Sequence, residues 1–291
     1  MTSPVLERFL RYVTVDTQAD ESNAGSPSSP GQLVLLDILA AELRALGAAD
    51  VTRDEHGYVM ATVPGTAEGP VIGFVAHVDT SPEMSGANVR PVVHRNYQGE
   101  DLVLPDDPSA VLRLAEHPAL AEQVGHDIVT ASGSTLLGAD NKAGVAEIVT
   151  AAEYLVAHPE IAHGPIRIAF TPDEEVGAGT KYFDVERFGA RCAYTVDASR
   201  LGELESESFC ADAMTITFRG RNTHPGYAKG VMVNAIKVAA DFIGRLPTDD
   251  LSPETTDGYQ GYVHPYVLQA AVETTSVKLL VRSEEHTSEL Q

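Results

Sequence analysis

Basic side chains are scarce. The chain has 20 Lys+Arg against 42 Asp+Glu, a formal charge of −22 at pH 7. Nucleic acids and anionic membranes need a basic face to meet their phosphates, so the balance argues against both as partners. Cysteine is scarcer still. Cys192 and Cys210 alone cannot build a disulfide framework, and a reducing compartment fits. No apolar run approaches the roughly 20 residues of a membrane span. Met1 to Val5 lack the basic-then-apolar order of a secretory signal, so the expected location is the cytoplasm. There is no internal repeat, no low-complexity tract, no GxSxG and no GxGxxG. Gly138-Ala-Asp-Asn-Lys142 lacks the spacing and the Ser/Thr of a phosphate loop. What remains is an acidic globular protein, and 291 residues with 43% hydrophobic content can bury one or two cores.

The apolar pattern gives the organisation. Pro4 opens a short helix with Val5, Phe9, Leu10 and Val13. Residues 18–30 are polar loop. Leu33, Leu36, Leu39, Leu43 and Leu46 mark a longer helix that Gly47 stops. Val71–Val78, Ile166–Phe170 and Cys192–Val196 are apolar runs of the kind found in strands buried on both faces. A helix over Lys142–Ala157 lies between them, and residues 85–130 hold only short strands around Val89–His94 and Asp101–Leu104. Strands alternating with helices imply an α/β fold with parallel members. After about residue 208 the pattern changes. Met214, Ile216 and Phe218 alternate with polar residues, a helix carries Met232, Ile236, Ala239, Ile243 and Leu246, and two strands follow at Val267–Val272 and Thr275–Val281. This reads as a smaller α+β domain.

Polar clusters follow the buried strands. His77-Val78-Asp79 closes the first run, Asp173-Glu174-Glu175 follows the second, and Asp197 follows the third. Asp140 stands at the entry to the Lys142 helix. Ligands of open α/β sheets sit at the carboxyl ends of strands, so these residues can converge. Singly, each has a plain structural reading: Asp140 a helix cap, Glu174 and Glu175 a solvated pair, Asp197 a turn residue, His77 a structural histidine. Jointly, Asp79, Asp140, Glu174, Glu175 and Asp197 in one crevice would repel unless one or two dications bound them. One imidazole among carboxylates suits Zn²⁺, Mn²⁺ or Co²⁺. His77 and Asp79 point the same way on an extended chain, so Asp79 can orient the imidazole or another ligand. The remaining histidines (His56, His94, His117, His126, His158, His163, His264) show no acidic partner pattern and are expected at the surface.

Together, His77-Val-Asp79-Thr-Ser-Pro82, Gly138-Ala-Asp-Asn-Lys-Ala-Gly144, Phe170-Thr-Pro-Asp-Glu-Glu-Val-Gly177 and Thr195-Val-Asp197 resemble the successive motifs of the zinc aminopeptidases of the M20 family. Thr223-His-Pro-Gly226 and Met232-Val-Asn-Ala235 resemble that family's lid domain. The resemblance runs from about residue 3 to Arg282 and is nearest to the tripeptide-cleaving members. It implies an α/β catalytic domain over 1–207, with a mixed sheet flanked by helices. An inserted ferredoxin-like lid over 208–282 is also implied, both domains incomplete. It implies two zinc ions: His77 and Asp197 on one, Asp140 bridging, Glu175 on the second. Glu174 would be the general base, Asp79 the residue that orients His77, and His224 a group that polarises the substrate carbonyl. Arg282 would contact the peptide carboxylate, the bond after Asp140 would be cis, and a homodimer would form through the lid.

The family takes a further zinc ligand from a late histidine that has no counterpart here, and Ser283–Gln291 reads as a foreign tail whose His286 is not a ligand. The expected function is release of the N-terminal residue from tripeptides. Other readings are another hydrolase of the family (dipeptidase, carboxypeptidase or N-acyl amino-acid hydrolase), an inactive fragment, or a non-catalytic peptide binder.

Overall fold

The computed structural model describes residues 3–198, 200–206 and 209–283. Apart from Ser283, the tail singled out above lies outside the described residues, and so does the expected boundary at 207/208. The chain divides into two compact units between Leu201 and Gly202.

The first unit starts with α1 (Pro4–Tyr12), whose Ser3 hydroxyl accepts from Leu6 N–H, and α2 (Pro30–Leu46), ended by Gly47 in the left-handed region. Strands β1 (Ala49–Arg53), β2 (Val59–Val63) and β3 (Ile72–His77) follow. A side lobe holds two short pairs: β4 (Val92–His94) with β7 (Ile128–Thr130), and β5 (Leu102–Leu104) with β6 (Asp107–Leu112). Next come α3 (Ala139–Ala157), β8 (Ile166–Thr171), the one-turn α4 (Val185–Phe188) and β9 (Cys192–Thr195). The main sheet has the order β1-β2-β8-β3-β9, with β8, β3 and β9 parallel and the β1–β2 hairpin antiparallel. The three apolar runs read from the sequence are thus neighbours, and their carboxyl ends lie side by side.

The hairpin was not foreseen. Its turn residues, Asp54 to Gly57, are a usable signal, since Asp54 accepts from His56 N–H and Tyr58 N–H. The short pairs of the side lobe begin later than expected at one strand and add two strands that the periodicity did not reveal.

One face of the sheet carries the main core. Leu35, Leu36, Leu39 and Leu43 of α2 and Val145, Ile148 and Val149 of α3 pack on Val59, Ala61, Ala76, Ile168 and Phe170. The opposite face is smaller, with Met60, Ala169 and Phe188 buried and Val75 and Phe183 against them.

In the second unit, β10 (Ala211–Arg219), β12 (Thr274–Arg282) and β11 (Tyr262–Ala270) form an antiparallel sheet in the order β10-β12-β11. Helix α5 (Ala235–Ile243) packs Ala239 against Val277 and Leu279. It starts later than Met232 suggested, because Val233 pairs with Arg221 in a bridge and Asn234 caps the helix by accepting from Ile236 N–H. Met214 alternates as expected yet stays 49% exposed. Among the histidines expected to lack acidic partners, His158 has one in Glu160 at 2.8 Å, and His56 is half-buried and stacked on Tyr182.

A polar knot joins α1, α2 and α3. Glu42 of α2 accepts from Tyr12 Oη at 2.7 Å, Arg8 Nε at 2.8 Å and Arg11 Nη2 at 2.5 Å, and Arg8 also pairs with Glu153 of α3. Burial opposes ionisation of Glu42, but these donors outweigh it and hold the carboxyl below its ordinary range. A carboxylate whose folded pKa is depressed stabilises above its unfolded pKa and loses that contribution as pH falls through the folded value. Glu42→Gln is therefore expected to cost about 1–3 kcal/mol in urea unfolding at neutral pH. The difference from wild type should shrink on acidification below about pH 4.

Candidate metal centre

The candidate centre is built around a buried carboxylate. Asp79 follows β3 by two residues and is fully buried. Its Oδ1 accepts from Glu174 N–H at 3.1 Å, and its Oδ2 accepts from Glu175 N–H at 3.0 Å. The Oδ1 atom also stands 3.3 Å from His77 Nδ1, which lies 3.1 Å from the Asp79 carbonyl oxygen. Nδ1–H therefore points back at Asp79, and Nε2 faces the cleft.

There Nε2 meets acids from three other segments: Asp140 Oδ1 at 2.9 Å, Asp197 Oδ2 at 3.7 Å and Glu174 Oε2 at 3.9 Å. His77, Asp140 and Asp197 each offer an atom within 4.8 Å of the others, and they form the group among the described residues with the spacing of a metal site. The donor set of one imidazole and several carboxylates fits a divalent ion of the zinc or manganese kind. Electrostatics agree. Burial raises the Glu175 carboxyl to about 7, with Asp140, Asp79 and Glu174 adding to the shift and His77 opposing it. Burial likewise raises Asp197 to about 6, assisted by Asp140 and Glu174. Burial alone would lower the His77 imidazole, but Asp79, Asp197 and Glu174 lift it to about 9. The cluster holds more negative charge than its surroundings compensate, which is the condition a bound cation relieves.

Local backbone chemistry brings the acids together. The Asp140–Asn141 peptide is cis, as the resemblance implied, and neither residue has helical angles, so the regular helix starts at Lys142. Gly144 in its first turn lies against the Val196 carbonyl, and a Cβ there would overlap that oxygen. Only glycine lets the helix approach the residue before Asp197 so closely.

Several supporting residues went unread in the sequence. Asp173 has a positive φ of 58° and is 1% exposed. Its carboxylate accepts from Ser28 N–H at 2.9 Å and Gln32 Nε2 at 2.8 Å, while its own N–H donates to Gln32 Oε1 at 3.1 Å. This reciprocal clamp fixes the backbone immediately before Glu174. Lys142 is equally buried and donates Nζ to the Val15 carbonyl at 2.8 Å. Burial lowers it to about 8 against the charges of Asp16 and Asp79. Partners more than a hundred residues apart leave no local period, so only a buried polar residue at a core position could have signalled them. His224 and Arg282 belong to the second unit. His224 is exposed and its Nδ1 accepts from Gly226 N–H at 3.1 Å, while Arg282 stacks 4.1 Å over the Phe209 ring.

Asp79→Asn keeps the shape but replaces one acceptor oxygen by an amide donor. It is expected to weaken divalent-metal binding by about 10–100-fold in competition with a chromophoric chelator. Unchanged affinity would show that Asp79 does not organise the centre.

Comparison with known proteins gives the family. Residues 207–290 match the family model described as a peptidase dimerisation domain. The peptidase T of Geobacillus sp. is 50% identical over 284 residues, covering 97% of this chain and 69% of its own length. That of Bacillus licheniformis is 52% identical with the same coverage. Among solved structures, an aminopeptidase PepT from Bacillus cereus superposes with a TM-score of 0.65 at 23% identity, over 97% of this chain and 66% of that one. A Staphylococcus aureus tripeptidase gives 0.68 at 22%, again over 97% and 66%. The structural matches establish the shared fold, while identity near one half over almost the whole chain establishes descent: the chain belongs to the peptidase T family of M20 aminopeptidases.

Proposed function

We infer that this chain supplies the metal-binding and proton-transfer groups of an aminopeptidase that releases the N-terminal residue from tripeptides, with zinc as its metal. The observation that carries this reading is the Asp79-centred array, in which a histidine and two glutamates at the ends of parallel strands meet an aspartate from the start of α3. His77, Asp140 and Asp197 would hold one ion, and Asp140 and Glu175 would hold the second. When bound, such ions supply Lewis acidity and make water acidic enough to lose a proton near neutrality.

The rest is done by side chains. Glu174 is fixed at its backbone by Asp79, while its carboxyl is 55% exposed and reaches to 3.9 Å from His77 Nε2. It can accept a proton from the attacking water at Oε2 and pass it to the departing amine. Asp79 keeps the proton of His77 on Nδ1 and so keeps Nε2 available as a ligand. His224 has its Nδ1 occupied by the Gly226 amide, which leaves a proton on Nε2 when the ring is neutral; such a donor suits a developing oxyanion. The first unit is thereby assigned as catalytic and the second as a lid through which two copies associate, in keeping with the dimerisation domain matched there.

Relatives carry further residues, and in the resemblance a late histidine completes the second site. The chain as given is expected to bind about one tightly held zinc by elemental analysis; two tight ions with full turnover would contradict that assignment. In a protein extended to the relatives' length, thorough chelation should abolish tripeptide cleavage. Glu174→Gln should lower kcat by about 10²–10⁴-fold with metal content retained. Cleavage that survives metal removal would overturn the reading.

A further inference from the structure

The loop that carries Glu174 also walls a cleft. It turns back at once, with Gly177 N–H donating to the Glu174 carbonyl at 2.8 Å and Ala178 N–H to the Asp173 carbonyl at 2.9 Å. Gly179 then returns against the same residue, where a Cβ would stand 3.1 Å from Glu174 Cα. Tyr58, at the start of the hairpin strand, donates its hydroxyl to the Gly179 carbonyl at 3.0 Å and accepts from Tyr182 N–H at 3.3 Å. The loop is thus pinned at a fixed height above the sheet. Between the two lies an open cleft of about 380 Å³, with Val75, Thr171 and Thr195 as its floor and Glu174, Thr180 and Phe183 as its walls. The floor residues share one sheet face, because Val75 pairs with Thr195 and His77 with Thr171.

The size lies near the lower end of small-molecule sites, which run from roughly 300 to 1,000 Å³. The lining is mostly hydrocarbon with threonine hydroxyls. Among the described residues that line it, Glu174 is the charged group. An acidic side chain placed there would face the Glu174 carboxylate, whereas an apolar one would exchange water for Val75, Phe183 and threonine methyls. Any occupant touches the residue assigned as the base, so it must belong to the part of a substrate nearest the bond being cut.

We propose that this cleft is the subsite for an uncharged, apolar side chain flanking the scissile peptide bond, with Thr180 and Phe183 setting its size. This rests on the aminopeptidase reading of the Glu174 centre. Thr180 is exposed and is none of the residues assigned to the metal or to proton transfer, so it is the place to change the cleft's volume.

The test is calorimetric titration of zinc-loaded Glu174→Gln protein, which binds without cutting, with tripeptides that differ at one position at a time as Gly, Leu or Asp. Leu at one position should strengthen binding over Gly, and Asp should not. Adding Thr180→Trp should cancel the Leu gain by at least about tenfold while leaving the all-Gly peptide within about twofold. Adding Thr180→Gly should move the preference towards Phe at that position. Equal losses for every peptide, or a Leu preference indifferent to both Thr180 variants, would overturn the subsite while leaving the aminopeptidase reading intact. Failure of every peptide to bind any form would overturn that reading and the subsite with it.

Discussion

The carboxylate of Asp79 is the interaction on which the functional architecture depends. A fully buried acid is expensive unless donors surround it, and here the donors are the backbone amides of Glu174 and Glu175 and the imidazole of His77. Those same groups are the ones that metal chemistry needs. Satisfying one buried charge therefore fixes the backbone of two glutamates in the loop after β8 and the tautomer of the neighbouring histidine. Two neighbouring contacts reinforce it. The Gln32–Asp173 clamp holds the loop from the α2 side, and the Lys142 ammonium places positive charge behind the cluster.

The strong acidity of the chain acquires a local meaning in this light. Much of the −22 is spread over surface that needs no explanation, but Asp140, Glu174, Glu175 and Asp197 converge from separate segments. Their mutual repulsion is visible in the upward shifts of Glu175 and Asp197, in which burial is the largest cause. A protein that gathers acids in this manner has to satisfy them with cations. The fold supplies one buried lysine, and the remainder is left to divalent ions.

The strands and helices that carry the site were legible because they are regular and apolar, although β9 stands at the edge of the described sheet with its four residues exposed, against the burial on both faces that its apolar run implied. β3, β8 and β9 announce themselves as apolar runs, and each ends in a polar cluster that the structure places at one edge of the sheet. The β1–β2 hairpin was missed because its first strand is half-exposed and short, so neither alternation nor an unbroken apolar run marks it. The start of α5 was misplaced because apolar spacing extends into Met232, whereas Asn234 decides where the helix begins. The residues proposed as ligands and as base could be picked out from motifs. Their supports, Gln32, Ser28, Lys142 and Tyr58, could not, because a polar residue buried by tertiary contact looks the same in sequence as one facing water.

The claim that one buried aspartate organises a metal centre is most directly tested by anomalous diffraction from crystals of the chain soaked in zinc. The account predicts an ion with His77 Nε2, Asp140 and Asp197 oxygens at about 2.0–2.2 Å, and Asp79 still accepting from the amides of residues 174 and 175. An ion bound through Asp79 itself, or one bound away from His77, would contradict it.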